Sequence, residues 1–198
     1  MTKIRSIFIK YKFLFIENTT HSSYLYQKVF RSIYGYTQNV TKKNNKIYNY
    51  FRNGVVSCLP YIKSGKNSLI LPVGCETELI DYFETGTNPT HNWKSKGNWT
   101  AEYKKDFIEI DKESVIKAIE LHINNYLIIN NENKSIKLLD EISLILSKEN
   151  LSINYINYLI AIMKKIIDTN WFIESYKDSN DLQKFYDTYN KLKVKYNV

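Results

Sequence analysis

The sequence predicts an α+β protein: an N-terminal mixed α/β module with a largely antiparallel sheet over residues 1–110, followed by a C-terminal bundle of three or four helices over residues 111–198. Two observations carry this expectation. Up to residue 110, short segments of period-two alternation are punctuated by Gly, Pro and Asn turn signals, whereas from Asp111 onward apolar residues recur at three- and four-residue spacing. The charge divides at the same place: residues 1–110 hold sixteen Lys or Arg and eight Asp or Glu, while residues 111–198 hold twelve of each.

Residues 3–16 read as a long strand, with Ile7, Ile9, Tyr11, Phe13 and Phe15 on one face and Lys10 and Lys12 on the other beside Phe8 and Leu14. The polar run Thr19 to Ser23 starts a helix over about 22–36, where Leu25, Val29 and Ile33 fall on one stripe. Thr37 to Lys46 is polar, with Lys42-Lys43-Asn44-Asn45 an exposed loop. Ile47 to Arg52 reads as a strand, and Asn53-Gly54 is a hairpin signal that pairs it with about 55–59. Ser64 to Asn67 is a second turn before a buried strand, Ser68 to Leu71. A short helix over about 75–84 is stopped by Gly86, and Lys96-Gly97-Asn98 marks a hairpin between Trp93 and Trp99. Thr100 to Ile110 is the last strand of the module.

In the second half, Asp111 is placed to cap a helix carrying Ile116, Ile119, Ile123 and Tyr126. A helix over about 134–147 follows with Leu138, Leu139, Ile142 and Ile145. Ser152 opens a third that runs to about Tyr176. The last, about 180–195, places Leu182, Phe185, Tyr189 and Leu192 on one stripe.

Ile, Lys, Asn and Tyr make up 90 of the 198 residues, a mix that an AT-rich coding sequence produces, so a high lysine content alone says little. Its distribution says more. Only one acidic residue, Glu17, lies in the first 75 positions, against twelve Lys or Arg threaded with tyrosines. Positive charge mixed with aromatic faces suits a polyanion that carries stackable bases. The chain is therefore expected to bind nucleic acid, single-stranded or structured in preference to a specific duplex sequence. Only three of its 28 bases are Arg, which argues against dense bidentate reading of guanines.

The residues expected to make that contact are Lys10, Lys12, Lys42, Lys43, Lys46, Tyr48, Tyr50, Arg52, Lys63, Lys66, Lys94 and Lys96. Period-two spacing puts Tyr48, Tyr50 and Arg52 on one side of a strand, where two phenols and a guanidinium could stack on bases and meet phosphate. The same positions also suit ordinary cross-strand packing. Trp93 and Trp99 flank a basic hairpin; exposed they could stack or wedge, and buried they would close the core.

Two other classes compete. Glu102-Tyr103-Lys104 on a strand, with Asp81 or Glu84 upstream, is the residue set of a metal-dependent nuclease, in which carboxylates hold Mg²⁺ and a lysine steadies the attacking water. The alternative is a protein-binding adaptor with no nucleic-acid role. The neutral helical half suits protein contacts, including a homo-oligomer or a larger complex. Nucleotide triphosphate hydrolysis is excluded at Lys63 to Asn67, which lacks the first glycine and the Ser or Thr of a phosphate-binding loop. Cys58, Cys75, His21 and His91 form no metal-ligand spacing, and no resident cofactor is expected. The basic–apolar start is interrupted by Lys10 and Lys12 and lacks a small-residue cleavage site, and no apolar run is long enough to span a bilayer. A cytoplasmic chain with reduced thiols at Cys58 and Cys75 is the expectation.

Overall fold

The computed structural model describes residues 2–16, 19–41, 47–88, 91–94, 97–131, 134–147 and 152–197. The protein is α+β, with antiparallel sheets in the N-terminal part and helices after them. It divides into two compact units, one of Arg5–Gln38 and Phe51–Glu109 and the other of Met1–Ile4, Asn39–Tyr50 and Ile110–Val198.

The first unit is organised by a four-stranded sheet built from β1 (Lys3–Phe15), β4 (Ile62–Lys63), β5 (Ser68–Pro72) and β8 (Trp99–Asp111), in the order β4-β5-β1-β8. β1 runs antiparallel to β5, with Ile7 opposite Leu71, Ile9 opposite Leu69 and Lys10 opposite Ser68. Against β8 the register follows from two backbone hydrogen bonds: Ile16 N–H donates to Asn98 O at 3.2 Å, and Lys112 N–H donates to Thr2 O at 3.1 Å. The same number of residues separates the two contacts on each strand, so the ladder carries no net insertion. Direct exchange of N–H and C=O marks the hydrogen-bonded pairs of an antiparallel ladder. The even-numbered residues of β1 and β8 therefore bond each other, and Tyr11 N–H donating to Asn67 O at 2.9 Å sends the odd-numbered ones toward β5.

Alternation along β1 sends Ile7, Ile9, Tyr11 and Phe13 into a core with Val29 and Ile33 of α1 (Tyr24–Tyr34) and Leu79, Tyr82 and Phe83 of α2 (Thr77–Thr85). Ser23 caps α1, its hydroxyl accepting from Tyr26 N–H at 3.3 Å, and Gly86 ends α2 in the left-handed conformation. The turn at Ser64 to Asn67 joins β4 to β5 as expected, with Asn67 at φ 54, a conformation its short amide side chain tolerates.

Three sequence expectations for residues 36–99 are corrected. Residues 36–41 are a strand, β2 (Tyr36–Thr41), and it is β2 that pairs with β3 (Ile47–Arg52). Residues 55–58 form turns instead of a second hairpin strand. Asn53-Gly54 is not a hairpin turn, because the chain there docks against the C-terminal end of α1. Val55 N–H donates to Ser32 O at 2.8 Å and Val56 N–H to Ile33 O at 3.0 Å, satisfying carbonyls the helix leaves open. Gly54 is needed for the approach itself, since a Cβ there would stand 2.2 Å from Gly35 N and 2.5 Å from Ile33 O. The third correction concerns Trp93 and Trp99. β7 (His91–Lys94) pairs with β6 (Thr87–Asn88), and β8 pairs with β1.

The second unit carries α3 (Lys112–Asn125), α4 (Leu138–Ser147), α5 (Ile153–Ile167), α6 (Asn170–Ser175), a 3-10 turn at Tyr176–Asp178 and α7 (Asn180–Tyr196). The stripe Leu182, Phe185, Tyr189 and Leu192 on α7 is buried as the period predicts, and so are Ile119, Ile123 and Tyr126. Two boundaries differ from expectation. Residues 135–137 are a strand, β10 (Ser135–Lys137), paired antiparallel with β9 (Leu127–Ile129), so α4 begins only at Leu138. The single helix expected from Ser152 to Tyr176 breaks at Asp168-Thr169. Thr169 Oγ1 donates to Ile166 O at 2.7 Å and accepts from Phe172 N–H at 3.2 Å, which ends one helix and caps the next. Inside this unit Glu141 is buried and accepts a 2.7 Å hydrogen bond from the Tyr155 hydroxyl.

Candidate nucleic-acid interface

The even-numbered face of β1 is buried at Ile4 and Ser6, as are Ile70 and Ser68 beside it on β5, and it opens at Lys10 and Lys12, both of which are exposed. Neither forms an ion pair among the described residues. The registers place their neighbours. Lys104 of β8 lies opposite Lys10 and Glu102 opposite Lys12. On the other flank Asn67 lies opposite Tyr11, and the exposed Lys66 precedes it in the turn at that end of the sheet. Lys104 is 3.1 Å from Asp106 and its charge is partly matched. Lys10 and Lys12 are then the cations this face offers to a ligand, with Glu102 the acid beside them and Lys66 in the adjoining turn.

The other bases of the unit meet a different environment. Lys63 stands opposite Leu69, which stands opposite Ile9, so it belongs to the helix-covered face, and its Nζ lies 4.6 Å from the centre of the Tyr34 ring. Arg31 lies over Tyr36 at 5.1 Å. Arg52 is exposed and its Nε donates to Gln38 Oε1 at 3.1 Å. The basic residues of the first 75 positions thus fall into at least two groups on different faces.

Of the tyrosines that thread those bases, Tyr11, Tyr34 and Tyr61 pack inward, whereas Tyr24 is exposed. Tyr11 is 3 % exposed and its hydroxyl lies 2.9 Å from that of Tyr34, whose ring packs 5.7 Å from Tyr61. Burial raises all three phenols above their ordinary pKa. Tyr50 is half-buried. Trp99 is 1 % exposed and stands edge-on to Phe13 at 5.0 Å, so it closes the core and is not a stacking platform. Lys42, Lys43, Lys46 and Lys96 lie outside the described residues, as do the side chains of Tyr48, Trp93 and Lys94.

The nuclease set does not assemble. Glu102 and Lys104 share the even-numbered face of the sheet with Lys10 and Lys12. Asp81 is exposed on α2, which meets β8 from the other face: Tyr103 donates to Glu84 Oε1 at 2.9 Å, and Lys105 Nζ lies 3.3 Å from Glu76 Oε1. Among the described residues no three His, Cys, Asp or Glu side chains gather where they could hold a metal ion. Cys58 and Cys75 are half-buried thiols outside any disulfide among the described residues, and burial, with Glu76 next in weight, pushes the Cys75 thiol up to about 11. Among the described residues no helix is long and apolar enough to cross a membrane.

One member of the basic face could not be placed by sequence. Lys104 was read as part of a catalytic set, and only the pairing of β1 with β8 brings it beside Lys10 and Lys12. No protein-family model, no curated protein and no solved structure matches the chain.

Proposed function

We propose that the protein binds nucleic acid through its phosphate backbone, with the exposed Lys10–Lys12 end of the sheet's even-numbered face as the contact surface. The observation that carries this reading is the pair Lys10 and Lys12, adjacent on one side of a rigid central strand, exposed, and flanked by Lys66. Cations held on a sheet are positioned for phosphates at strand spacing and carry no base information, so binding would be sequence-tolerant and strongly salt-dependent. Because Tyr11, Tyr34, Tyr61 and Trp99 are packed away, stacking is a smaller component than the composition suggests. Single-stranded or structured nucleic acid is the favoured partner. The C-terminal helices, read as a bundle, would serve protein contacts, and Leu121 and Ile173 are exposed on them.

Fluorescence anisotropy with labelled single-stranded and duplex oligonucleotides across a salt series tests the reading. Log K should fall linearly with log salt, and Lys10→Glu/Lys12→Glu should reduce the slope by about 2, roughly 1 for each phosphate contact removed. Lys63→Glu should leave it nearly unchanged. Absence of binding at low salt, or equal binding by the Lys10/Lys12 double variant, would overturn it. A loss confined to Lys42→Glu/Lys43→Glu would move the site off the sheet.

A further inference from the structure

We propose that β8 is a self-association edge, joining two copies of the chain as antiparallel neighbours in one continuous sheet. β8 is the last strand of the β4-β5-β1-β8 sheet, and among the described residues no strand pairs with its outer side. It is thirteen residues long, and Glu102 to Lys105, Phe107 and Glu109 are all exposed. Its even-numbered residues bond to β1, so the N–H and C=O groups of Ala101, Tyr103, Lys105, Phe107 and Glu109 point outward. Such a row is a template for another strand.

The side chains on this edge are complementary to their own reverse. In an antiparallel pair related by a two-fold axis, outward-bonding residues must face outward-bonding residues, which fixes odd opposite odd. With the axis at Lys105, Tyr103 faces the second copy's Phe107, and the reciprocal pair repeats it. Lys104 faces the second copy's Asp106, again twice, at the closer non-hydrogen-bonded positions. Tyr103 is 37 % exposed and Phe107 56 %, so two large apolar side chains gain cover together. Moving the axis to Lys104 instead sets Glu102 against Asp106, a like-charge contact. The two Lys105 side chains meet on the chosen axis, and each already has Glu76 at 3.3 Å within its own unit. Arg5, 4.2 Å over the Phe107 ring, braces the aromatic from the β1 side.

Sedimentation equilibrium of the full chain without nucleic acid, over a concentration series, tests this separately from the binding reading. Wild type should self-associate to a dimer. Lys104→Asp and Asp106→Lys should each weaken it at least tenfold by facing like charges across the axis, and the double exchange Lys104→Asp/Asp106→Lys should restore it. Amide hydrogen exchange of the wild type gives a second readout that needs no variant. Tyr103, Lys105 and Phe107 amides should gain protection as concentration rises, while Glu102, Lys104 and Asp106 are protected throughout. A monomer at all concentrations, a dimer indifferent to both single exchanges, or outward amides that exchange equally at every concentration would each overturn the proposal.

Discussion

Two groups of basic residues from the same acid-poor stretch meet different fates. Lys10 and Lys12, at the open end of the sheet's even-numbered face, and Lys66 in the adjoining turn stand exposed without an ion pair among the described residues, whereas Lys63, Arg31 and Arg52 lie over tyrosine rings or on a glutamine amide. Composition cannot separate them. Strand parity can: Lys10 and Lys12 are even-numbered on β1, while Lys63 pairs through Leu69 with the odd-numbered, core-facing set. A run of lysines is a ligand surface only where the sheet leaves it one, and the aromatic side of the same strand serves stability. This division of labour can be broken at several points.

The largest effect is expected on the aromatic side. Trp99→Ala removes a fully buried indole packed against Phe13 and Tyr82, and should cost about 3–5 kcal/mol by chemical denaturation. A cost under about 1 kcal/mol would mean that the indole is not part of the core. Gly54→Ala comes next. Its methyl would collide with backbone atoms of Ile33 and Gly35, which cannot swing away as a side chain could, so about 1–3 kcal/mol should be lost. A neutral Gly54→Ala would disprove the docking of residues 54–56 on α1.

Alkaline titration sharpens the contrast further. Burial raises the phenols of Tyr11, Tyr34 and Tyr61 above the ordinary 10.0, and burial with the hydrogen bond to Glu141 does the same for Tyr155. A raised folded-state pKa means that the native chain keeps protons the unfolded chain has released. Stability from these groups is therefore complete below pH 10 and declines as pH rises beyond it. Tyrosinate absorbance should rise in step with loss of structure in that window, and Tyr155→Phe should make the onset shallower.

These tests also mark how much was legible in the sequence. The alternation of β1, the buried run of β5, the Gly86 stop and the α7 stripe could all be read, because each depends on local period and turn chemistry alone. Residues 53–56 could not be read, because Asn-Gly is a hairpin signal only when nothing else claims the backbone, and here α1's open carbonyls do. Thr169 was overlooked because an apolar run hides a cap within it. At the candidate interface, alternation placed Lys10 and Lys12, but Lys104 became their neighbour only through a strand register set by residues distant in sequence. The interleaved tyrosines misled for a related reason. Proximity along the chain says nothing about the face a side chain takes, and Tyr11 differs from Lys10 by one residue and by the whole thickness of the sheet.

The smallest expected effect is also the most discriminating. Tyr34→Phe should cost about 0.5–1.5 kcal/mol through the hydroxyl pair with Tyr11, and Lys63→Ala about 0.5–1 kcal/mol through the exposed cation–ring contact. Lys10→Ala/Lys12→Ala should change stability by no more than about 0.5 kcal/mol, because exposed side chains with no ion pair among the described residues leave nothing unsatisfied when removed. If the double variant instead lost stability on the scale of Tyr34→Phe, the two lysines would be holding the fold together and would not be free to meet phosphate. Measured beside the oligonucleotide titration, a variant that keeps its stability and loses its salt slope separates a surface kept for a ligand from one that belongs to the fold.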